Sequence, residues 1–412
     1  MSDTLAILVG GGPAPGINGV IASAAMEAFN YGLRVVGIYD GYRDLAAGRT
    51  PQTVELTFDH VSRIHTAGGS ILRTSRTNPA RDEATLDRCV DTLDRLGARY
   101  LVCIGGDDTT YGAAAIARRT NGRIGVATVP KTIDNDLPLP DNAPTFGFET
   151  ARSVGAGILE SLMEDARTTA RWYVVVCMGR KSGALALGMC KAAGSTVAVL
   201  PEEFAEESDL LAVVDTVVGS IVKRRSVGRQ HGVAVVAEGI AERLSSDAFA
   251  AAENVGRDSF GNIRLADIPL GLILRDGVRR RLEEIGVDST VHAKDIGYEL
   301  RCAKPVPFDV DYTRTLGFGA VRYLMSGGSG ALIALSGGHV EPMALEDLAD
   351  PETGRIRTRQ VDLTTEAYRV ARDYMVRLDP ADFEGERLER LAEQTNLSPE
   401  QFRATFERIA IP

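Results

Sequence analysis

An α/β fold of two similar three-layer lobes, each on a mainly parallel sheet and with the active-site cleft between them, is what the order of apolar runs predicts. Three observations carry this expectation. Strand-length apolar runs recur at residues 5–9, 34–39, 100–104, 124–129, 173–177, 196–200 and 233–237. Helix-length segments separate most of them, and such alternation builds a parallel sheet with helices on both faces. Several runs end in glycine-rich or charged loops, and in open α/β sheets the loops leaving the carboxyl ends of strands form the ligand crevice.

Taken in order, the run at 5–9 leads into Gly11-Gly12-Pro13-Ala14-Pro15-Gly16, and 18–31 then reads as a helix. The strand at 34–39 ends in Asp40-Gly41-Tyr42, and 86–96 reads as a helix. Strands at 100–104 and 124–129 enclose a helix at 109–119. A second set starts near Phe146: helix 149–166, strand 173–177, helix 183–193, strand 196–200, helix 210–224, and strand 233–237 ending in Glu238. The expected division is a first lobe at 1–145, to which the chain returns around 250–300, and a second lobe at 146–345. A helical C-terminal extension follows at 346–412. In it 346–355 is acidic and turn-rich and 387–409 reads as charged surface helices or a subunit contact. Ser398 followed by Pro399, Glu400 and Gln401 marks a helix start with proline at its first position.

At 412 residues the chain is long enough for two substantial cores. A formal charge of −10 argues against general affinity for nucleic acid or anionic membrane. A polyanionic substrate therefore needs a local basic cluster, which Arg73, Arg76, Lys131, Arg171, Arg180 and Arg301 can supply. The five cysteines are scattered, with Cys103 and Cys177 inside strand runs, so reduced thiols in a reducing cytosol are expected. The N-terminal residues lack the pattern of a signal peptide, and no apolar window approaches the roughly 18 residues of a membrane span. A cytoplasmic protein is the expectation.

Two motifs follow strand runs directly: Gly105-Gly106-Asp107-Asp108-Thr109 and Pro130-Lys131-Thr132-Ile133-Asp134-Asn135-Asp136. Glycines let a phosphate approach the backbone, carboxylates hold a hard cation such as Mg²⁺, and a lysine offsets phosphate charge. That equipment suits phosphoryl transfer. An attacking hydroxyl is a weak nucleophile, and a carboxylate such as that of Asp134 can orient it and accept its proton. The first glycine loop fits neither standard nucleotide motif: Pro15 breaks G-x-G-x-x-G, and Ile17 stands where a Walker loop has lysine. Backbone N–H groups at a helix start remain, a ready anion site.

These motifs, with Gly11 to Asn18 upstream and Met178-Gly179-Arg180 downstream, resemble the phosphofructokinases, in order over roughly residues 1–340. The resemblance implies that Gly11, Gly12 and Arg76 line the donor site and that Asp107 helps hold Mg²⁺. ATP-using relatives commonly have glycine at the place of Asp108 and, in bacteria, at that of Lys131. Both residues here resemble those of pyrophosphate-using members. Thr132 and Asp136 would contact substrate, and Arg180 would stabilise the transferring phosphoryl. Met178, Gly179, Glu238, Tyr298 and Arg301 would bind the sugar phosphate. Arg171 resembles an arginine reaching the 6-phosphate from a neighbouring subunit, with Lys294 as a second such cation, which implies a homodimer or homotetramer with shared active sites. The segment 18–31 has no Arg or Lys, so effector control at that helix is not expected. The implied reaction is reversible, Mg²⁺-dependent transfer from pyrophosphate to the 1-hydroxyl of fructose 6-phosphate, in glycolysis or gluconeogenesis. An ATP-dependent 6-phosphofructokinase is the alternative.

Overall fold

The structure, a computed structural model, describes residues 3–245, 268–348 and 356–410. They form two compact units. One holds residues 3–151, 298–348 and 356–359; the other holds 152–245, 268–297 and 360–410. The first opens with β1 (Thr4–Val9), β2 (Arg34–Ile38), β3 (Thr53–Glu55), β4 (Ala98–Gly105), β5 (Gly125–Thr132) and β6 (Phe146–Gly147). The second takes β7 (Arg171–Cys177), β8 (Val197–Val199), β9 (Gly232–Ala237) and β10 (Thr290–Ile296). The chain then returns to the first unit for β11 (Ala331–Ser336) and β12 (His339–Ala344).

The first sheet runs β12-β11-β5-β4-β1-β2-β3, with β6 beside β5. Only β3 and β12, at its two edges, pair antiparallel. Because successive strand side chains point to opposite faces, β1 serves two cores. Leu5, Ile7 and Val9 pack toward the helices Ile17–Asn30 and Pro307–Met325, whereas Ala6 and Leu8 face the helices Glu83–Arg95 and Asp107–Thr120. Strands buried on both faces lose the polar alternation of half-exposed ones. This is why residues 5–9 read as one apolar run.

The second sheet, β10-β7-β9-β8, is wholly parallel. Trp172, Val174 and Val176 of β7 pack in one core with the helices Leu210–Arg225 and Leu270–Glu284.

Two observations differ from the sequence reading. The second lobe was expected to run to residue 345, but Tyr298–Arg301, the helix Pro307–Met325 and β11 belong to the first unit. The reason is pairing: Ala331 and Leu332 register beside Ala127 and Thr128 of β5, a partner far back in the chain. The tail expected to be superficial is instead core of the second unit. Phe402 and Phe406 lie one turn apart on the helix Pro399–Phe406, are fully buried, and pack with Leu378, Phe383 and Leu391. Each such burial contributes about 1.5–3 kcal/mol, so these positions anchor the tail. The helix start expected at Ser398 is present: its hydroxyl accepts from Gln401 N at 3.2 Å, and Gln401 Oε1 accepts from Ser398 N. Residues 349–355 of the expected acidic stretch, and 250–267 of the expected return to the first lobe, lie outside the described residues.

Candidate active site

In the first unit the carboxyl ends of β1, β4 and β5 are adjacent, and their loops meet. Thr109 fills the space between the first two. A Cβ on Gly10 or Gly105 would sit 2.3 Å from its Oγ1, so both positions need glycine. Gly11 has φ +80°, and a Cβ there would also approach Lys131 Nζ to 3.1 Å. Gly10 and Gly11 donate to Ile104 O and Ser75 O, both at 2.9 Å, and Thr74 Oγ1 donates to Gly11 O at 2.6 Å. The loop is therefore fixed from both sides.

Around it stand the cations. A Cβ on Gly12 would lie 3.5 Å from Arg301 Cζ and 3.7 Å from an Arg76 Nη. Lys131 donates from Nζ to Gly12 O. Its side chain is buried, and burial is the main reason its pKa falls from 10.5 to about 8. Arg301 and Arg76 push it the same way, while Asp134 and Asp107 oppose them. Three basic and two acidic side chains thus share one electrostatic neighbourhood. Arg301 was expected among the sugar-phosphate residues; the structure sets it beside the glycine loop, stacked over exposed Tyr298 at 5.3 Å.

The two motifs sit differently on their elements. Asp107 and Asp108 open the helix Asp107–Thr120, whose N-cap is Gly106 without a side-chain cap. Acidic residues in a first turn are favoured by the helix dipole. The second motif begins inside β5, since Lys131 and Thr132 pair with Phe146 and Gly147 of β6. Asp134 and Asp136 follow, both largely buried. Asp134 N donates to Thr132 Oγ1 at 3.0 Å, and Thr145 Oγ1 donates to Thr132 O at 2.7 Å. Asn135, between the aspartates, adopts φ +57°.

In the second unit Met178, Gly179 and Arg180 leave the carboxyl end of β7, beside Glu238 at the end of β9. One carboxylate oxygen of Glu238 accepts from Gly179 N at 3.0 Å and from Arg180 N at 2.8 Å. Arg180 itself has φ +51°, and the carboxylate holds that turn. Arg171 is not brought to this group. It begins β7, and a seven-residue strand spans roughly 20 Å. It lies 4.0 Å from Asp165, which also accepts from Tyr173 Oη at 2.5 Å. Lys294 registers opposite Val175, short of the loop.

The phosphofructokinase family profile matches residues 4–324. The chain belongs to the phosphofructokinase family. Among curated relatives, the pyrophosphate–fructose 6-phosphate 1-phosphotransferase of Thermotoga maritima is 51% identical over 414 residues, covering 98% of each chain. The enzyme of the same name from Naegleria fowleri is 46% identical over 417 residues, covering 98% of this chain and 95% of that one. Among solved structures, a pyrophosphate-dependent phosphofructokinase from Marinobacter aquaeolei superposes with TM-score 0.69 at 17% identity, covering 90% of each chain. That likeness shows the phosphofructokinase fold.

Some residues escaped the sequence reading. Thr109 lay in a quoted motif, but its packing role depends on strand adjacency. Glu202 Oε1 accepts from Gly183 N and from Val361 N, both at 2.9 Å, tying the loop after Arg180 to the tail. Arg359 grips the turn at Asn135. Neither Glu202 nor Arg359 carries a local signal. Of the cysteines, Cys89, Cys103, Cys177 and Cys190 are buried thiols and Cys302 is exposed. Among the described residues no helix is long and apolar enough to cross a membrane.

Proposed function

We propose that this phosphofructokinase-family protein transfers a phosphoryl group from pyrophosphate to the 1-hydroxyl of fructose 6-phosphate, releasing phosphate, in a reversible reaction. The observation that carries this is the cluster of Lys131, Arg76 and Arg301 around the Gly10–Gly12 loop, with Asp134 and Asp107 facing it. The two relatives of the same enzyme name support the donor and acceptor.

In this reading the Gly11 and Gly12 backbone, Arg76 and Lys131 hold the donor. Lys131 is charged below about pH 8 and so matches an anionic donor at neutral pH. Asp134 accepts the proton of the attacking hydroxyl, and Thr132 and Asp136 hold the acceptor beside it. Arg180, Met178, Gly179, Glu238, Tyr298 and Arg301 serve the sugar phosphate and the transferring group. Glu238 does so by fixing the backbone of the Arg180 turn. Asp108 excludes an α-phosphate by bulk and charge, which selects pyrophosphate over ATP.

Phosphofructokinases generally use a divalent metal. Among the described residues no three His, Cys, Asp or Glu side chains form a metal cluster. The protein's share would be Asp107, half-buried in a helix first turn, with the donor's oxygens completing the shell, as is usual for Mg²⁺. When bound, Mg²⁺ would neutralise charge on the donor phosphates. Arg171 and Lys294 reach a 6-phosphate from a second copy of the chain, so the working form is a cytoplasmic homo-oligomer.

Phosphorus NMR of a mixture of fructose 6-phosphate, pyrophosphate and Mg²⁺ tests this reading. Fructose 1,6-bisphosphate and phosphate should appear together and in equal amounts. Phosphate without bisphosphate, or neither, would overturn it.

A further inference from the structure

The loop between β5 and β6 carries the proposed base, and it turns on a residue in an unfavourable backbone state. Asn135 sits at φ +57°, between Asp134 and Asp136. Asparagine tolerates that state better than most residues, but within the loop only the Thr145 amide is seen to hold its side chain. The grip comes from beyond the family-matched region, from Arg359. Its Nε donates to Asn135 O at 3.0 Å, one Nη donates to Ala143 O at 3.0 Å, and the other Nη donates to Asn135 Oδ1. The Arg359 backbone N–H adds a bond to Asp136 O at 2.7 Å. Asn135 Oδ1 also accepts from Thr145 N at 3.1 Å. Thus one half-buried side chain and its own backbone tie both limbs of the loop, at 135–136 and at 143, and the Asp136 charge faces its guanidinium.

A planar guanidinium presents donors in a fixed fork, which suits three convergent oxygens; an ammonium cannot span them. The neighbouring Tyr312 is largely buried in the helix Pro307–Met325 and feels the Arg359 charge.

We propose that Arg359 is a positioning residue for the phosphoryl-transfer reaction. By clamping Asn135 in its left-handed turn it aims the carboxylates of Asp134 and Asp136. The proposal rests on the assignment of Asp134 as base. It gives the tail a part in the chemistry, because the last residue of the first unit closes the loop on which the base stands. Misplacing a reacting group by about 1 Å can cost about 10²-fold in rate.

The experiment measures kcat and KM for fructose 6-phosphate and pyrophosphate in the parent, Asp134→Asn, Arg359→Lys, Arg359→Gln and Arg359→Ala, with thermal melts of each. The parent must transfer phosphoryl and Asp134→Asn must lose kcat by about 10²-fold or more; failure of the first refutes the proposed function and failure of the second the base assignment, rather than the clamp. With both met, Arg359→Gln should lower kcat about 30- to 100-fold with both KM values within about threefold. Arg359→Lys should keep the parent's melting temperature and lose kcat about tenfold, so it carries the test even if a larger truncation fails to fold. Guanidinium ion at low millimolar concentration should partly restore kcat to Arg359→Ala. A denaturant cannot rescue a protein whose only fault is a weakened fold, so rescue separates positioning from general stability. A kcat within twofold of the parent in folded Arg359→Lys and Arg359→Gln would overturn the proposal. So would loss of kcat in Arg359→Ala that guanidinium leaves unchanged or deepens.

Discussion

The two units hold their candidate residues by different physics. In the first, side chains of opposite sign meet at the ends of three adjacent strands, and the position of each is set largely by where it leaves the sheet. Lys131 stands on β5 itself, where burial, Arg301 and Arg76 disfavour its charge and Asp134 and Asp107 favour it. In the second, the backbone after β7 is held by carboxylates: Glu238 takes two amides at Gly179 and Arg180, and Glu202 takes the amide at Gly183. Removing a first-unit charge should therefore change chemistry or titration directly. Removing a second-unit carboxylate should act through a displaced loop.

Asp134→Asn breaks the comparison hardest. General-base catalysis contributes about 10²–10⁴-fold, so kcat should fall by that order with the fold intact by circular dichroism. Arg180→Ala should cost about 10²–10³-fold in kcat, the usual scale for one electrostatic group at a transition state. Glu238→Gln keeps shape but weakens two charge-assisted bonds; a smaller loss of about tenfold is expected in steady-state rates. A Glu238→Gln rate as low as that of Arg180→Ala would mean that the carboxylate touches substrate as well as the loop.

Stability gives a contrast within the second unit. Arg377 and Glu203 pair at 2.5 Å with both side chains about 1% exposed, and Tyr368 Oη donates to the same Glu203 oxygen at 2.6 Å. Arg377→Met leaves that carboxylate buried without its cation, which should cost about 3–5 kcal/mol in denaturant unfolding. KM for pyrophosphate should not change in the protein that remains folded.

The mildest effect is a pH limb. Lys131 is protonated below about pH 8 and neutral above it, because burial first, and Arg301 and Arg76 after it, lower its pKa. If its charge holds the donor, kcat/KM for pyrophosphate should decline above about pH 8, approaching tenfold per unit. Lys131→Arg keeps its charge across that range and should flatten the limb, whatever it does to the rate at neutral pH.

These contrasts also mark what the sequence made legible. Gly11, Asp107, Lys131 and Asp134 were readable because each follows an apolar strand run within a few residues, and strand ends in parallel sheets share one edge. Glu238 was readable for the same reason. Arg301 was readable as a site cation, but its place beside the Gly10–Gly12 loop was not, since nothing local says which sheet edge a residue joins after a long excursion. Arg359 was invisible: it bonds Asn135 across 224 positions and lies past the last recognisable motif. The tail's charge hid its core role, which rests on Phe402 and Phe406 one turn apart in a helix that also carries Glu400, Gln401 and Arg403. Periodicity carries local structure well, but pairings over long separations depend on the packed whole.

The most direct test of the account is the initial rate with fructose 6-phosphate and Mg²⁺, pyrophosphate against ATP, in the parent and in Asp108→Gly. The account predicts a strong preference for pyrophosphate in the parent, narrowed when Asp108 is removed. A parent that prefers ATP would contradict the donor assignment of Asp108 and Lys131.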